Sequence, residues 1–143
     1  RQMCIRDSNE NEKAVESYYK ALEVNNKSAA AHNNIANLFS NTNNPEAEYH
    51  YKKLVELEPN EVYPRLNMAN YYIKQGQFKE AISSLNELVD MGMATKEVFN
   101  SLGVSYKGLD DTKNAISMFE EAIKIDKDFV LANENLKLLK NDS

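Results

Sequence analysis

A repeat with a period of 33 to 34 residues constrains the fold of this chain more than any other feature. One ladder of alanines keeps this step, and an aromatic residue or leucine follows each alanine four positions later. The two ladders are Ala14, Ala47, Ala81 and Ala115, and Tyr18, Tyr51, Leu85 and Phe119. A third ladder pairs an apolar residue with a small one, at Ile35–Ala36, Met68–Ala69 and Leu102–Gly103. Columns that share one period indicate similar structural units stacked along the chain.

Each repeat predicts two helices joined by a short turn. The apolar residues of segment 29–41 fall at i, i+4, i+7 and i+8, which is one face of an α-helix, and the next segment has the same pattern. Asn44 and Pro45 are candidates for an N-cap and a first helical residue, and Gly76 is a candidate for a left-handed helix end. A single helix pair could not bury this apolar surface, so the pattern predicts an elongated all-α solenoid.

The first repeat interval is one residue short. Ala36 and Ala47 are 11 residues apart, whereas Ala69 and Ala81 are 12 apart. We expect the missing residue in the Asn-rich turn of residues 41–45, where a deletion disturbs least.

Charge and composition exclude several functions. The net charge of −5 lacks the basic excess that displaces phosphate counterions, so we expect no nucleic-acid partner. No apolar stretch approaches the ~20 residues of a bilayer span, so no membrane span is expected. The single cysteine, Cys4, builds no disulfide framework, and a cytoplasmic location is favoured. Abundant asparagine and lysine with few arginines are typical of an AT-rich microbial genome.

The first eight residues differ from the rest. Residues 1–8 resemble a translated sequencing adaptor in every position, and they hold two of the three arginines of the chain. We interpret them as an adaptor-derived artefact and residues 9–143 as the native repeat domain. On this interpretation the true N-terminus lies outside the chain.

The order of small, aromatic and alanine positions resembles the tetratricopeptide repeat (TPR) family. Segments 76–82 and 100–106 are close to the family pattern, and Pro59–Asn60 matches the end of a unit. The resemblance implies a right-handed superhelical solenoid of antiparallel helix pairs with about seven helices. It divides the chain into a partial unit 10–26, full units 29–61, 62–95 and 96–129, and a C-terminal capping helix 130–141. The aromatic residue that opens a unit is kept only as Phe99.

The last helix is expected to end the solenoid with a mixed face. It would direct four leucines inward and two lysines outward. These residues are Leu131, Leu136, Leu138 and Leu139, and Lys137 and Lys140. The alternative is that another repeat follows.

Motifs for catalysis or cofactor binding are missing from the sequence. It has no glycine-rich phosphate loop, no His-Glu-x-x-His and no cysteine pair. His32 and His50 are interpreted as packing or surface residues rather than as metal ligands. We therefore predict a protein that is not an enzyme and uses no cofactor or metal.

The resemblance implies that a ligand lies on the concave face, which the first helix of each pair forms. The residues predicted to line this groove are Asn33, Asn34, Asn37, Asn67, Asn70, Lys74, Asn100, Ser101, Lys107 and Asn135. Four of them share one repeat position and would form a column, namely Asn34, Asn67, Ser101 and Asn135. Because asparagine both donates and accepts, such a column suits the backbone amides of an extended peptide. Codon bias explains the asparagines equally well.

The predicted function is a scaffold that binds an extended peptide segment of a partner protein in the groove. One alternative is a substrate-presenting arm of a larger enzyme, such as a glycosyltransferase or sulfotransferase. Another is self-association through exposed edges, and the oligomeric state stays open. The chaperone-carboxylate binding of some family members is disfavoured, because their cation positions are Asn33, Glu97 and Ser101 here.

Overall fold

The protein is all-helical over the residues that the structure describes. The computed structural model describes the backbone of residues 2–141 and the side chains of residues 9–141. Eight helices and no strand occur in this range, which confirms the predicted fold class with one helix more than the approximate count. The helices are α1 (Gln2–Val24), α2 (Ala29–Asn41), α3 (Ala47–Leu57), α4 (Val62–Lys74), α5 (Phe78–Asp90), α6 (Lys96–Gly108), α7 (Thr112–Ile125) and α8 (Val130–Asn141).

The helices belong to two compact units, which divide between Pro64 and Arg65, inside the first turn of α4. Unit 1 contains α1 to α3, and unit 2 contains most of α4 together with α5 to α8. The predicted artefact, residues 1–8, overlaps the start of α1. Arg1 and the side chains of residues 2–8, including Cys4, lie outside the described part, so the origin of this segment stays a prediction.

The alanines at the starts of the second helices are buried in both units. Ala47, Ala81 and Ala115 are completely buried at the starts of α3, α5 and α7. The facing small residues are buried as well, and Gly103 on α6 shows why. A Cβ atom at Gly103 would lie 2.4 Å from Cε1 of Phe119 on α7, so only glycine permits this approach.

The turn inside each helix pair repeats with the period of the sequence. Asn43, Gly76 and Asp110 all have positive φ, at 56°, 75° and 59°. In each turn the N–H of the following residue donates to the carbonyl of an aromatic residue in the preceding helix, as Gln77 does to Tyr72 at 2.8 Å. This geometry is the Schellman helix end. The left-handed residue predicted at Gly76 is present, and Asn43 and Asp110 adopt the same conformation without being glycine because short polar side chains tolerate it.

The missing residue lies slightly later than expected. Asn43 and Gly76 both stand seven residues after their small residue, but Ala47 follows Asn43 by four residues, whereas Ala81 follows Gly76 by five. The deletion therefore falls within residues 44–46. α3 begins at Ala47, so the prediction that Pro45 begins this helix is wrong, and Pro45 and Glu46 lie in a turn.

The C-terminal helix buries fewer leucines than predicted. Leu139 and Ala132 pack into the core of unit 2, and Leu136 is half-buried. Leu131 and Leu138, however, are 55% and 53% exposed, so their predicted inward placement is wrong. They lie on a different face of α8 from the residues that contact α7.

Candidate functional site

A cleft in unit 2 crosses the first helices of three successive pairs. It has a volume of about 310 Å³, and α4, α6 and the start of α8 form its walls. Its lining residues are Leu66, Asn70, Ile73, Glu97, Asn100, Ser101, Val104, Phe129 and Leu131. The exposed position of Leu131 follows from this arrangement, because its helix face opens into the cleft.

Two hydrogen bonds between neighbouring helices orient the amides of the cleft. The Oγ of Ser101 donates to Oδ1 of Asn70 over 2.9 Å, and Nδ2 of Asn135 donates to Oδ1 of Asn100 over 3.1 Å. Both carbonyl oxygens are thereby engaged. The Nδ2 hydrogens of Asn70 and Asn100 remain as the donors of these two side chains toward the cleft.

The structure brings together only part of the predicted groove set. Asn70, Asn100 and Ser101 line the cleft, and Asn135 reaches it through Asn100. The other predicted residues of unit 2 lie on α4 and α6 but do not line this cleft. They are Asn67, Lys74 and Lys107.

The remaining predicted groove residues are on α2, in unit 1. Asn34 is exposed and Asn33 is half-buried. Asn37 accepts a 2.8 Å hydrogen bond at Oδ1 from the hydroxyl of Tyr51, so it also braces α3 against α2. The column that would join Asn34 to the residues of unit 2 stays a prediction.

The apolar lining of the cleft was missed. Leu66, Ile73 and Val104 were not predicted as groove residues, and Leu131 was assigned to the core. The signal was present as a second helical stripe, since Leu66, Asn70 and Ile73 follow the spacing i, i+4, i+7 on α4.

One acidic side chain carries the formal charge of the cleft lining. Glu97 is exposed on α6, and none of the other lining residues is ionisable. The nearest cation, Lys96, donates a 2.7 Å hydrogen bond to Asp126 and lies 5.0 Å above the ring of Phe129. The hydrogen bond from Lys96, with a second one from the backbone of Asp128, lowers the pKa of Asp126, and the same ion pair raises the pKa of Lys96.

Unit 1 has a larger cleft of about 480 Å³, with a buried histidine pair in its wall. The Nδ1 atoms of His32 and His50 are 3.0 Å apart, and Nε2 of His32 is 3.1 Å from the carbonyl oxygen of Asn26. Since a carbonyl only accepts, His32 carries its proton on Nε2, and His50 donates from Nδ1 to His32. Burial first, and then the nearby His32, lower the pKa of His50 to about 4.

The pair therefore has a packing role, one of the two interpretations offered by the sequence. Residues 9–141 contain no cluster of three or more His, Cys, Asp and Glu side chains that could hold a metal ion. In the same part of the chain, no helix is long and apolar enough to cross a bilayer.

Family profiles match the chain along most of its length. A profile described as TPR repeat matches residues 5–43, and two described as tetratricopeptide repeat match residues 38–98 and 97–129. The chain is a tetratricopeptide repeat protein. The predicted family resemblance is thus confirmed, and this TPR chain is a helical-repeat module of the kind that binds peptides or proteins. No curated protein sequence matches it significantly.

Solved structures share the fold of the TPR chain. PilF of Pseudomonas aeruginosa is 21% identical, with a TM-score of 0.81 over 98% of this chain and 64% of PilF. YrrB, described as a TPR protein with an unusual peptide-binding site, is 25% identical, with a TM-score of 0.69 over 87% of this chain and 65% of YrrB. The second TPR domain of human RPAP3, solved with the HSP70 peptide SGPTIEEVD, is 18% identical, with a TM-score of 0.70 over 78% of this chain and 94% of that domain.

Proposed function

We propose that the unit 2 cleft binds an extended segment of a partner protein through the backbone of that segment. The observation that carries the proposal is the pair of oriented amides on adjacent helices. Asn70 and Asn100 have their oxygens engaged by Ser101 and Asn135, so each offers N–H donors to a ligand. An extended peptide has carbonyl oxygens that accept such bonds, and each bond contributes about 1 kcal/mol net.

The apolar walls supply the second contribution to binding. Leu66 and Ile73 flank Asn70 along α4, and Phe129 and Leu131 line the cleft at the start of α8. Side chains of an extended segment alternate in direction, so apolar ones can cover these walls while the backbone meets the amides. Area removed from water there contributes about 25 cal/mol per Å².

Two of the structural relatives support a peptide ligand. YrrB and the RPAP3 domain are described with a peptide-binding site and with a bound peptide. The RPAP3 peptide contains three acidic residues, whereas the cleft of this chain contains Glu97 and no cation among its lining residues to pair with an acidic side chain or a terminal carboxylate. We therefore assign the cleft to an internal segment of a partner.

A peptide library tests the proposal without knowledge of the partner. Nine-residue random peptides, fused at both ends on phage, would be selected on the full chain. Clones that bind through the cleft should lose at least tenfold in affinity on the double variant N70A/N100A, because two hydrogen bonds are removed. The matched control is N86A, which removes an exposed asparagine from α5, outside the cleft.

Circular dichroism must show equal helicity for both variants. Clones that bind N70A/N100A and N86A equally well would contradict backbone recognition by these amides. The double variant N34A/N67A tests the predicted column separately, since Asn34 and Asn67 do not line the cleft, whereas Asn135 is bonded to Asn100. The alternative of an enzyme's substrate-presenting arm stays a prediction, which an attached catalytic domain in the complete reading frame would support.

A further inference from the structure

The cleft distributes charge and apolar surface in a defined order across its three helices. The central helix, α6, contributes Glu97 near its start. The flanking walls are apolar, with Leu66 and Ile73 on α4, and with Leu131 on α8 beside Phe129. A segment that crosses the three helices therefore meets apolar side chains on α4, Glu97 on α6, and apolar side chains at the start of α8.

The carboxylate of Glu97 is available to a ligand. It forms no hydrogen bond or close ion pair with the side chains of residues 9–141, although its charge helps to raise the pKa of the adjacent Lys96. The adjacent Lys96, which could have neutralised it, is held by Asp126 through the 2.7 Å hydrogen bond. A cation supplied by the partner would thus meet a carboxylate on the central helix of the cleft that has no close ion-pair partner.

Exposed leucines continue the apolar wall along α8. Leu138 is 53% exposed and lies two helical turns after Leu131, which is 55% exposed. Leu138 stands 34 residues after Val104, a lining residue of the cleft, so it occupies the same repeat position on the next first helix.

We infer that the cleft selects an internal segment in which one lysine or arginine stands between apolar side chains. The basic side chain pairs with Glu97, and the apolar side chains cover Leu66 and Ile73 on one side and Leu131 on the other. This inference rests on the proposed function, because it specifies the segment that the same cleft would bind. An acidic segment is rejected, since its carboxylates would face Glu97 without a cation among the lining residues.

The phage library supplies the probe. Clones selected on the full wild-type chain should be enriched in a central basic residue with apolar neighbours. A synthetic peptide made from the consensus, acetylated and amidated, should bind E97Q about three- to fivefold more weakly, as expected for one exposed ion pair. Library selection on E97K should replace the basic preference with an acidic one. The matched control E120K changes an exposed glutamate on α7, outside the cleft, and should select the wild-type consensus.

The variant V104S/L131S separates this inference from the proposed function. If wild-type clones depend on Val104 and Leu131 but show no basic preference, and E97K leaves the consensus unchanged, the charge assignment is overturned and peptide binding stands. If the wild-type chain enriches no clones, or enriches clones that bind V104S/L131S equally well, both proposals are overturned. A basic consensus that inverts on E97K and binds less on V104S/L131S supports both.

Discussion

Acidification should destabilise unit 1 through His50. This side chain is 2% exposed and is packed between α1 and α2, with the rings of Tyr19, Phe39 and His32 around it. Its pKa is about 4 in the folded protein, against 6.5 for an ordinary histidine. The carboxylate of Glu46 opposes this decrease but does not cancel it.

The sign and size of the effect follow from proton linkage. Between pH 6.5 and pH 4 the unfolded chain binds more protons at His50 than the folded protein does, so the free energy of unfolding falls as the pH falls. The contribution of His50 is fully present above pH 6.5 and is lost progressively toward pH 4. From pH 7 to pH 5 the loss is about 2 kcal/mol, and it approaches about 3 kcal/mol below pH 4.

Urea unfolding followed by circular dichroism at pH 7 and at pH 5 measures this difference. The control is H50N, whose side-chain amide can donate to His32 from near the original Nδ1 position but does not titrate. Its free energy of unfolding should change by about 2 kcal/mol less over the same pH interval. An equal pH dependence in both proteins would refute the assignment of the effect to His50.

Four further substitutions test the packing and the turn. G103A should lower the free energy of unfolding by about 1–3 kcal/mol, because the added methyl group would overlap the ring of Phe119, and the double variant with F119L should recover part of this loss in urea titrations. D110G should raise stability by about 0.5–1 kcal/mol, since glycine adopts a φ of 59° without strain, and a lower melting temperature would contradict this account of the turn. L131S should change the free energy of unfolding by less than about 0.5 kcal/mol, because Leu131 is exposed. L139A should lower it by about 2–4 kcal/mol, because Leu139 is buried. Similar losses for the two variants would support the predicted inward placement of Leu131.

The sequence predicts the helices well because the core ladder repeats. Each alanine of the ladder marks a second helix, and segment 29–41 coincides with α2. The predicted start of α3 at Pro45 is wrong, because Pro45 and Glu46 lie in a turn and the helix begins at Ala47. A cap signal at Asn44 does not reveal how many residues separate it from the helix. Asn44 accepts a 3.0 Å hydrogen bond from the N–H of Glu46, one residue before α3 begins.

The candidate site was less accessible to sequence reasoning. Periodicity identifies which residues share a helix face but not whether a second apolar face is buried or lines a cleft. Leu131 and Leu66 were therefore not recognised as lining residues. The contact between His32 and His50, 18 residues apart, depends on the packing of α2 against α3, and neither residue signals the other in the sequence.

The hydrogen bonds from Ser101 to Asn70 and from Asn135 to Asn100 join side chains about thirty residues apart, and each ties one first helix to the next. They connect α4 to α6 and α6 to α8 in the absence of a ligand, and so they help to hold the spacing of these three helices. A surface held in this way loses little conformational entropy on association. On the proposed function, the selectivity of the cleft depends on the spacing of Asn70 and Asn100, and an extended ligand must match that spacing.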